Sequence, residues 1–288
     1  MIKSKCNLCP RNCNKDRINE KGFCGASENI VISLWQLHKW EEPCIVGKNG
    51  SGTIFFSGCN LKCCYCQNYE ISTYITGKEY TTQQIVELFK EIEDSGATNI
   101  NLVTPTHYIK QLCEAFKVYK PKIPIVYNTS GYEKIDALKL IDEYIDIYLV
   151  DYKYFDNSLA FRLSKAVDYR NVAVDAIKYM CDSKVDYFDD NGVMKKGVII
   201  RHLILPNNVY NTIKVLEDIK LKFPNRLVSL MAQYVPMYKA KEMKDINRRI
   251  NKREYNRAVD HYIKLGLNGF IQEMSSASEC YIPKFNGK

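Results

Sequence analysis

Short apolar runs alternate along the chain with longer segments whose apolar residues recur every three or four positions. Runs of this length are typical of buried strands, and they cover 52–57, 99–103, 123–127, 145–150, 197–204, 226–232 and 269–272. The segments with helical spacing are 81–96, 106–119, 132–144, 208–223 and 252–266. Alternation of this kind indicates parallel strands joined by right-handed crossovers. It predicts an α/β fold, a partial (β/α)6 TIM-like barrel, with its chemistry at the carboxyl ends of the strands.

Two regions interrupt the alternation. Residues 1–50 carry several cysteines and both tryptophans, and we expect a cysteine-rich metal-binding extension there, ahead of a barrel over 51–288. Residues 152–197 contain helical material and the tripeptide Asp190-Asn191-Gly192, which favours a hairpin turn.

Composition narrows the class of protein. The chain has 288 residues, 46% hydrophobic and 26% charged, which is ordinary for a globular protein with a large core. No apolar run approaches the ~20 residues of a membrane helix, and the start lacks the apolar core of a signal peptide. We therefore expect a cytoplasmic protein without a membrane partner.

The net charge of +8 comes largely from the stretch 239–253. Such a stretch is usually a solvated helical face; the alternative is a docking surface for an acidic protein such as an electron donor. No basic and aromatic module of a known kind is present, so no nucleic-acid partner is expected.

Twelve cysteines are the main anomaly of the composition. In a reducing cytosol, closely spaced cysteines indicate metal or catalytic sites rather than disulfides. Four are isolated, and we expect them to be small buried apolar residues: Cys44, Cys113, Cys181 and Cys280. The other eight form two groups.

The group in "FFSGCNLKCCYCQNYE" directly follows the first predicted strand. Cys59, Cys63 and Cys66 form C-x3-C-x2-C. Three thiolates on one loop can hold three irons of a 4Fe–4S cluster and leave the fourth open, whereas an electron-transfer cluster uses four cysteines. A zinc site is the alternative, but adjacent Cys63 and Cys64 do not fit the usual spacing of two knuckles.

This motif resembles that of the radical S-adenosylmethionine (SAM) superfamily. The resemblance implies that the open iron chelates the amino and carboxylate groups of SAM, and that an electron then cleaves the sulfonium. The resulting 5′-deoxyadenosyl radical abstracts a substrate hydrogen, which makes the protein an oxygen-sensitive, anaerobic oxidoreductase. Cys64 would fill a variable position.

Later segments, from about 40 to 240, resemble the glycyl radical enzyme activating enzymes, of which pyruvate formate-lyase activating enzyme is the best known. "YNTSG" would place Asn128 and Ser130 near the cofactor ribose. "DYK" and "IIRHLILP" would place three charged residues near its methionine part. The cofactor-binding residues implied in all are Tyr65, Thr104, Thr106, Asn128, Ser130, Asp151, Lys153 and Arg201.

One departure separates the chain from these enzymes. Their Gly-Gly-Glu after the second strand is missing, and "VTPTHY" stands in its place. Thr104 and Thr106 could supply acceptors there, but without the charge of the glutamate. The pattern therefore resembles a related branch. Asp151 and Lys153 could also be a strand-end ion pair without a ligand, and Arg201 could pair with a structural carboxylate.

The resemblance implies activation of a glycyl radical enzyme by hydrogen abstraction from a glycine, with flavodoxin or ferredoxin as the electron donor. One alternative keeps the radical chemistry and changes the target to another peptide or a small molecule. The second alternative is a non-catalytic iron–sulfur or zinc-binding protein that serves in electron transfer or as a scaffold.

The second cysteine group has the spacing C-x2-C-x3-C-x10-C, through Cys6, Cys9, Cys13 and Cys24. Four thiolates in a short segment can fold a loop around a metal. Structural zinc and a second iron–sulfur cluster both fit. The absence of a compact ferredoxin run favours zinc or a rubredoxin-like site, while a second cluster could relay electrons or anchor a substrate.

Overall fold

The structure is a computed structural model that describes residues 5–281, 283 and 285. Its strands and helices are, in chain order, β1 (Ile30–His38), α1 (Pro43–Val46), β2 (Ser51–Phe56), α2 (Tyr69–Thr73), β3 (Lys78–Tyr80), α3 (Thr82–Asp94), β4 (Ile100–Val103), α4 (Ile109–Val118), β5 (Ile125–Thr129), α5 (Ile135–Ile141), β6 (Ile147–Asp151), α6 (Asn157–Ser164), α7 (Tyr169–Ser183), β7 (Tyr187–Phe188), β8 (Met194–Leu203), α8 (Val209–Lys222), β9 (Leu227–Met231), α9 (Lys252–Lys264) and β10 (Asn268–Ile271). The predicted ranges 1–50 and 51–288 include residues 1–4, 282, 284 and 286–288, which lie outside the described residues.

The centre of the fold is a parallel sheet. Its strands lie in the order β2, β4, β5, β6, β8, β9 and β10, and each neighbouring pair is parallel. Within the described residues β10 ends the sheet beside β9, so the barrel does not close. The predicted partial TIM-like barrel is confirmed, and the carboxyl ends of its strands share one edge.

Two strands extend this sheet beyond β2. The strand β1 pairs antiparallel with β2, and β3 pairs antiparallel with β1. Gly77, in the left-handed region at φ 113°, permits the turn into β3, because a side chain there would lie 2.1 Å from the backbone oxygen of Ile32. The cysteine-rich region thus contributes a strand to the barrel sheet, which the sequence pattern did not indicate.

The sequence contains the local signals that start and orient the crossover helices, as α3 shows. A capping box begins α3: the Gln84 amide donates to the Thr81 hydroxyl, and the Thr81 amide donates to the Gln84 side chain over 2.9 Å. One face of α3 is buried against the sheet, including Phe89 and Ile92. Burial of each such side chain stabilises the fold by about 1.5–3 kcal/mol.

The remaining local predictions have mixed outcomes. The hairpin forms between β7 and β8, where the Asp189 amide donates to the Val193 carbonyl over 2.9 Å. Three of the four isolated cysteines are buried, but Cys280 is exposed, so that prediction was wrong for it. The basic stretch 239–253 is mostly not helical, since a 3-10 turn and irregular chain precede α9.

No helix in the described part of the chain is long and apolar enough to cross a membrane.

Candidate active site

A cavity of about 240 Å³ opens at the carboxyl ends of the parallel strands. Residues at or after the ends of β2, β4, β5, β6, β8 and β9 contribute to its lining. Cys59, Cys63 and Cys66 all lie on this lining. As expected for residues at the carboxyl ends of parallel strands, these three cysteines and most of the predicted cofactor-binding residues lie in one place.

The sulfurs of Cys59, Cys63 and Cys66 all accept hydrogen bonds. The Leu61 amide donates to Cys59 Sγ over 3.4 Å, the Ser164 hydroxyl donates to Cys63 Sγ over 3.0 Å, and the Ser72 hydroxyl donates to Cys66 Sγ over 3.3 Å. Hydrogen bonds of this kind orient thiolate ligands and set the potential of an iron–sulfur cluster. The three cysteine ligands therefore suit a cluster in which three irons each bind one cysteine.

Cys64 is buried in the apolar core and is not among the residues lining the cavity. Its amide donates to the Leu163 carbonyl over 2.8 Å, which ties the loop to α6. Its position agrees with a packing role beside the three cavity-facing cysteines.

Burial governs the protonation of the three cavity thiols. It raises the pKa of Cys59 and Cys63, and it raises the pKa of Cys66 to about 11. The free thiols are therefore protonated at neutral pH, and binding of a metal must displace their protons. No three Cys, His, Asp or Glu side chains of the described chain form a site for a single metal ion.

A network of charged side chains lines the same cavity. Asp151 accepts from Arg201 Nε over 2.8 Å and from Lys153 Nζ over 2.5 Å. Arg201 also donates from Nη1 to Glu41 over 3.1 Å and from Nη2 to Asn128 over 2.7 Å. Asp151 and Arg201 are register partners on β6 and β8, which explains their contact.

The charges in this network support each other. Burial alone would raise the pKa of Asp151, but the neighbouring Arg201 and Lys153 outweigh it, so the pKa is lowered and the group stays ionised. Burial also raises the pKa of Glu41, and Arg201 only partly offsets that effect.

Glu41 is the part of the site that the sequence did not indicate. It lies between β1 and α1 and lines the cavity. Its Oε1 accepts from Asn101 Nδ2 over 3.0 Å and from Asn128 Nδ2 over 3.3 Å. The only available signal was a pair of glutamates before Pro43 in the segment that leads into the first barrel strand.

Most of the other predicted cofactor-binding residues also line the cavity, including Tyr65, Thr104 and Ser130. The Ser130 hydroxyl is buried and has no hydrogen-bond partner within the described residues, so it is available to a ligand. Thr106 is not on the lining. It is buried, and its hydroxyl donates to Glu133 over 2.6 Å.

None of the four N-terminal cysteines lines the cavity. Cys24 lies beside the loop that carries Cys59, Cys63 and Cys66, which we call the cluster loop. The amide of Cys59 donates to the carbonyl of Cys24 over 3.2 Å. The two cysteine groups are therefore neighbours in space, although about 35 residues separate them in sequence.

Comparison with known proteins decides the family. Residues 53–219 match the Radical SAM superfamily. The chain belongs to the radical SAM superfamily. Enzymes of this family use a 4Fe–4S cluster and SAM, which confirms the predicted cofactors. Which residues of this chain bind them stays a prediction.

Two relatives agree with this assignment. An uncharacterized protein of Methanocaldococcus jannaschii is 32% identical over 279 residues, which is 93% of this chain and 77% of that protein. A Haemophilus influenzae protein assigned by name to the glycyl-radical enzyme activating enzymes is 28% identical over 116 residues, which is 38% of this chain and 43% of that protein.

Solved structures agree in fold. SuiB of Streptococcus suis, bound to SAM, has a TM-score of 0.53 at 18% identity and covers 77% of this chain. The [FeFe]-hydrogenase maturase HydG of Carboxydothermus hydrogenoformans has a TM-score of 0.51 at 15% identity and covers 78% of it. The chain spans 52% and 54% of those two chains, so it corresponds to about half of each.

Proposed function

We propose that this radical SAM enzyme activates a glycyl radical enzyme by abstracting a hydrogen atom from one of its glycines. The observation that carries the proposal is that Cys59, Cys63 and Cys66 line one cavity together with Asp151, Lys153 and Arg201. The relation to the Haemophilus influenzae protein over 116 residues supports the choice of substrate.

In this proposal Cys59, Cys63 and Cys66 hold the cluster, which supplies the electron that cleaves SAM to methionine and a 5′-deoxyadenosyl radical. Tyr65 closes the cavity beside the loop, where its hydroxyl pairs with that of Tyr154 over 2.5 Å. The loop and these tyrosines exclude water from the reacting atoms.

Asp151, Lys153 and Arg201 orient the charged methionine end of the cofactor, and Asn128 and Ser130 hold the ribose. Glu41 supplies the negative charge that Thr104 lacks. A carboxylate has about four acceptor positions, and three donors, Asn101, Asn128 and Arg201, contact Glu41. One position is left for the ammonium group of SAM.

The proposal includes the wider setting of the enzyme. Flavodoxin or ferredoxin donates the electron in the cytoplasm. Residues 1–50 form the metal-binding extension and residues 51–288 form the catalytic barrel, to which the extension adds the strand β1 and the side chain of Glu41.

The first experiment tests the cluster and its chemistry. The wild-type protein is reconstituted anaerobically with iron and sulfide, and the reduced protein is expected to show an EPR signal that SAM alters, together with release of 5′-deoxyadenosine. Cys63→Ala should lose both. Cys64→Ala, one residue away and off the cavity, should keep both. Retention of the SAM-responsive signal in Cys63→Ala would contradict the assignment.

The second experiment tests the substrate. The enzyme is incubated with candidate glycyl radical enzymes that carry deuterated glycine, and a glycyl radical EPR signal with deuterium in 5′-deoxyadenosine is expected. Deuterium arriving instead from another peptide or from a small molecule would refute glycyl activation while leaving the radical chemistry intact.

A further inference from the structure

The fold of the N-terminal segment brings Cys13 and Cys24 together. Asn12 and Asn14 adopt left-handed conformations, with φ of 44° and 51°, so the chain turns sharply on both sides of Cys13. A side chain at Gly22 would lie 3.1 Å from Cys24 Sγ and 3.7 Å from Cys13 Sγ. These turns bring residues distant in sequence to the same place.

Backbone hydrogen bonds hold the other two cysteines at the same turns. The Asn14 amide donates to the Cys6 carbonyl over 3.0 Å, and the Asn12 amide donates to the Cys9 carbonyl over 3.1 Å. Four thiolates are the usual ligand set of a structural zinc ion and of a 4Fe–4S cluster. The four cysteines therefore lie on one compact segment that can supply such a set.

The same segment is fixed against the cluster loop of the barrel. Arg11 donates from Nε to the Asn60 carbonyl over 2.8 Å and from Nη2 to the Ser164 carbonyl over 3.2 Å. Gly58, at φ 92°, allows the close approach, because a side chain there would lie 2.8 Å from the carbonyl oxygen of Cys24. The backbone of Cys24 contacts the backbone of Cys59 directly, through the bond described above.

The two ends of this cysteine group lie in different surroundings. Cys6 lines a surface depression of about 210 Å³ together with Lys15, Arg17 and Lys110, and with the acidic Asp16 and Glu28. Cys24, in the same group, contacts the cluster loop from outside the cavity. The group therefore reaches from the surface, at Cys6, to the loop that carries Cys59, at Cys24, and none of its four cysteines lines the cavity.

We infer that Cys6, Cys9, Cys13 and Cys24 bind a second 4Fe–4S cluster that relays electrons from a reduced protein carrier to the cluster at Cys59, Cys63 and Cys66. The inference rests on the proposed assignment of the first cluster. One electron leaves the carrier, reduces the second cluster and passes to the first, where cleavage of SAM consumes it. No atoms are transferred between the two centres.

A structural zinc ion explains the observations less well. Zinc has no redox chemistry, so a zinc ion beside the cluster loop could not pass an electron to the first cluster. The segment also has other anchors: Arg11 binds the carbonyls of Asn60 in the loop and of Ser164 in α6, and Arg17 donates from Nε to the Ser27 carbonyl over 3.0 Å. It does not depend on a metal alone for its position.

The test is metal analysis with EPR on the full chain after anaerobic reconstitution. The wild type should bind about eight irons, and Cys9→Ala/Cys13→Ala should bind about four. That variant should keep the SAM-responsive signal of the first cluster and lose its reduction by flavodoxin or ferredoxin, while dithionite still reduces it. Cys113→Ala, a buried cysteine outside both groups, is the matched control.

Cys6→Ser, at the edge of the group, repeats the test should the double variant fail to fold. One zinc and about four irons in the wild type would overturn the inference. The inference would also be overturned if the wild type bound about eight irons and flavodoxin or ferredoxin still reduced the first cluster in both variants. A wrong assignment of the first cluster would give a different result, because Cys63→Ala would then retain the SAM-responsive signal.

Discussion

Asp151 and Glu133 are buried carboxyl groups that follow neighbouring strands, yet their acidities shift in opposite directions. Asp151, at the end of β6, lies between Arg201 and Lys153, and its pKa is lowered. Glu133, after β5, accepts from the hydroxyls of Thr106 and Thr129, and burial raises its pKa to about 7. Hydroxyl donors offset burial only in part, whereas two cations overcome it.

The comparison shows where this fold places charge. The ionised group faces the cavity beside two cations, Arg201 and Lys153, and Arg201 also contacts the carboxyl group of Glu41. A ligand end that carries both an ammonium and a carboxylate, as SAM does, can pair with charges of both signs there. Glu133 does not line the cavity and needs no ionic partner.

The largest expected effect follows from removing the central cation. Arg201→Met leaves Asp151 and Glu41 buried without their shared partner, and removal of one partner of a buried pair costs about 3–5 kcal/mol. We expect that loss in the free energy of unfolding, measured with urea at pH 7. Arg248→Met, which breaks a more exposed pair with Glu254, should cost only about 0–1 kcal/mol. Equal losses in the two variants would contradict the comparison.

Glu133→Gln should remove a pH dependence. Because the folded pKa of about 7 lies above the unfolded value of about 4.3, Glu133 supports the fold when protonated, and that support is lost as pH rises towards 7. The expected loss between pH 5 and pH 8 is about 2–3 kcal/mol, from about 1.4 kcal/mol per unit. Unfolding at both pH values measures it, and an unchanged slope in the variant would assign the dependence to another group.

The smallest effect is expected for Thr106→Val. This change removes one hydroxyl donor from Glu133 and leaves the donor from Thr129, so we expect a loss of about 1 kcal/mol. The pKa of Glu133 should rise further, because the Thr106 bond lowers it. Carboxyl NMR of the variant measures that shift. A weaker affinity for SAM with no shift would instead support the sequence prediction that Thr106 binds the cofactor.

The sequence predicted the parallel strands closely because most of them are continuous apolar runs buried on both faces; β10, which has no buried residue, is the exception. The run 52–57 corresponds to β2 at Ser51–Phe56. It missed β1 and β3, whose outer positions are partly exposed, so neither stands out as a buried run. Edge strands carry a weaker signal because only part of each is packed.

The site was predictable to the extent that it lies at strand ends. Asp151 and Arg201 follow from that rule, because adjacent parallel strands end at the same edge. Glu41 does not, since a loop before the barrel carries it into the cavity. Thr106 shares the correct loop, but the 3-10 turn Thr106–Tyr108 after Pro105 directs its hydroxyl to Glu133.

The open sheet has a consequence for how copies of the chain meet. An incomplete barrel keeps two edge strands, and unpaired edges can template association and aggregation. Here the edges are short, with three residues in β3 and four in β10. Lys78 and Glu79 place exposed charges on β3, which oppose pairing with a second chain. Short, charged edges therefore limit edge-to-edge aggregation without closing the barrel.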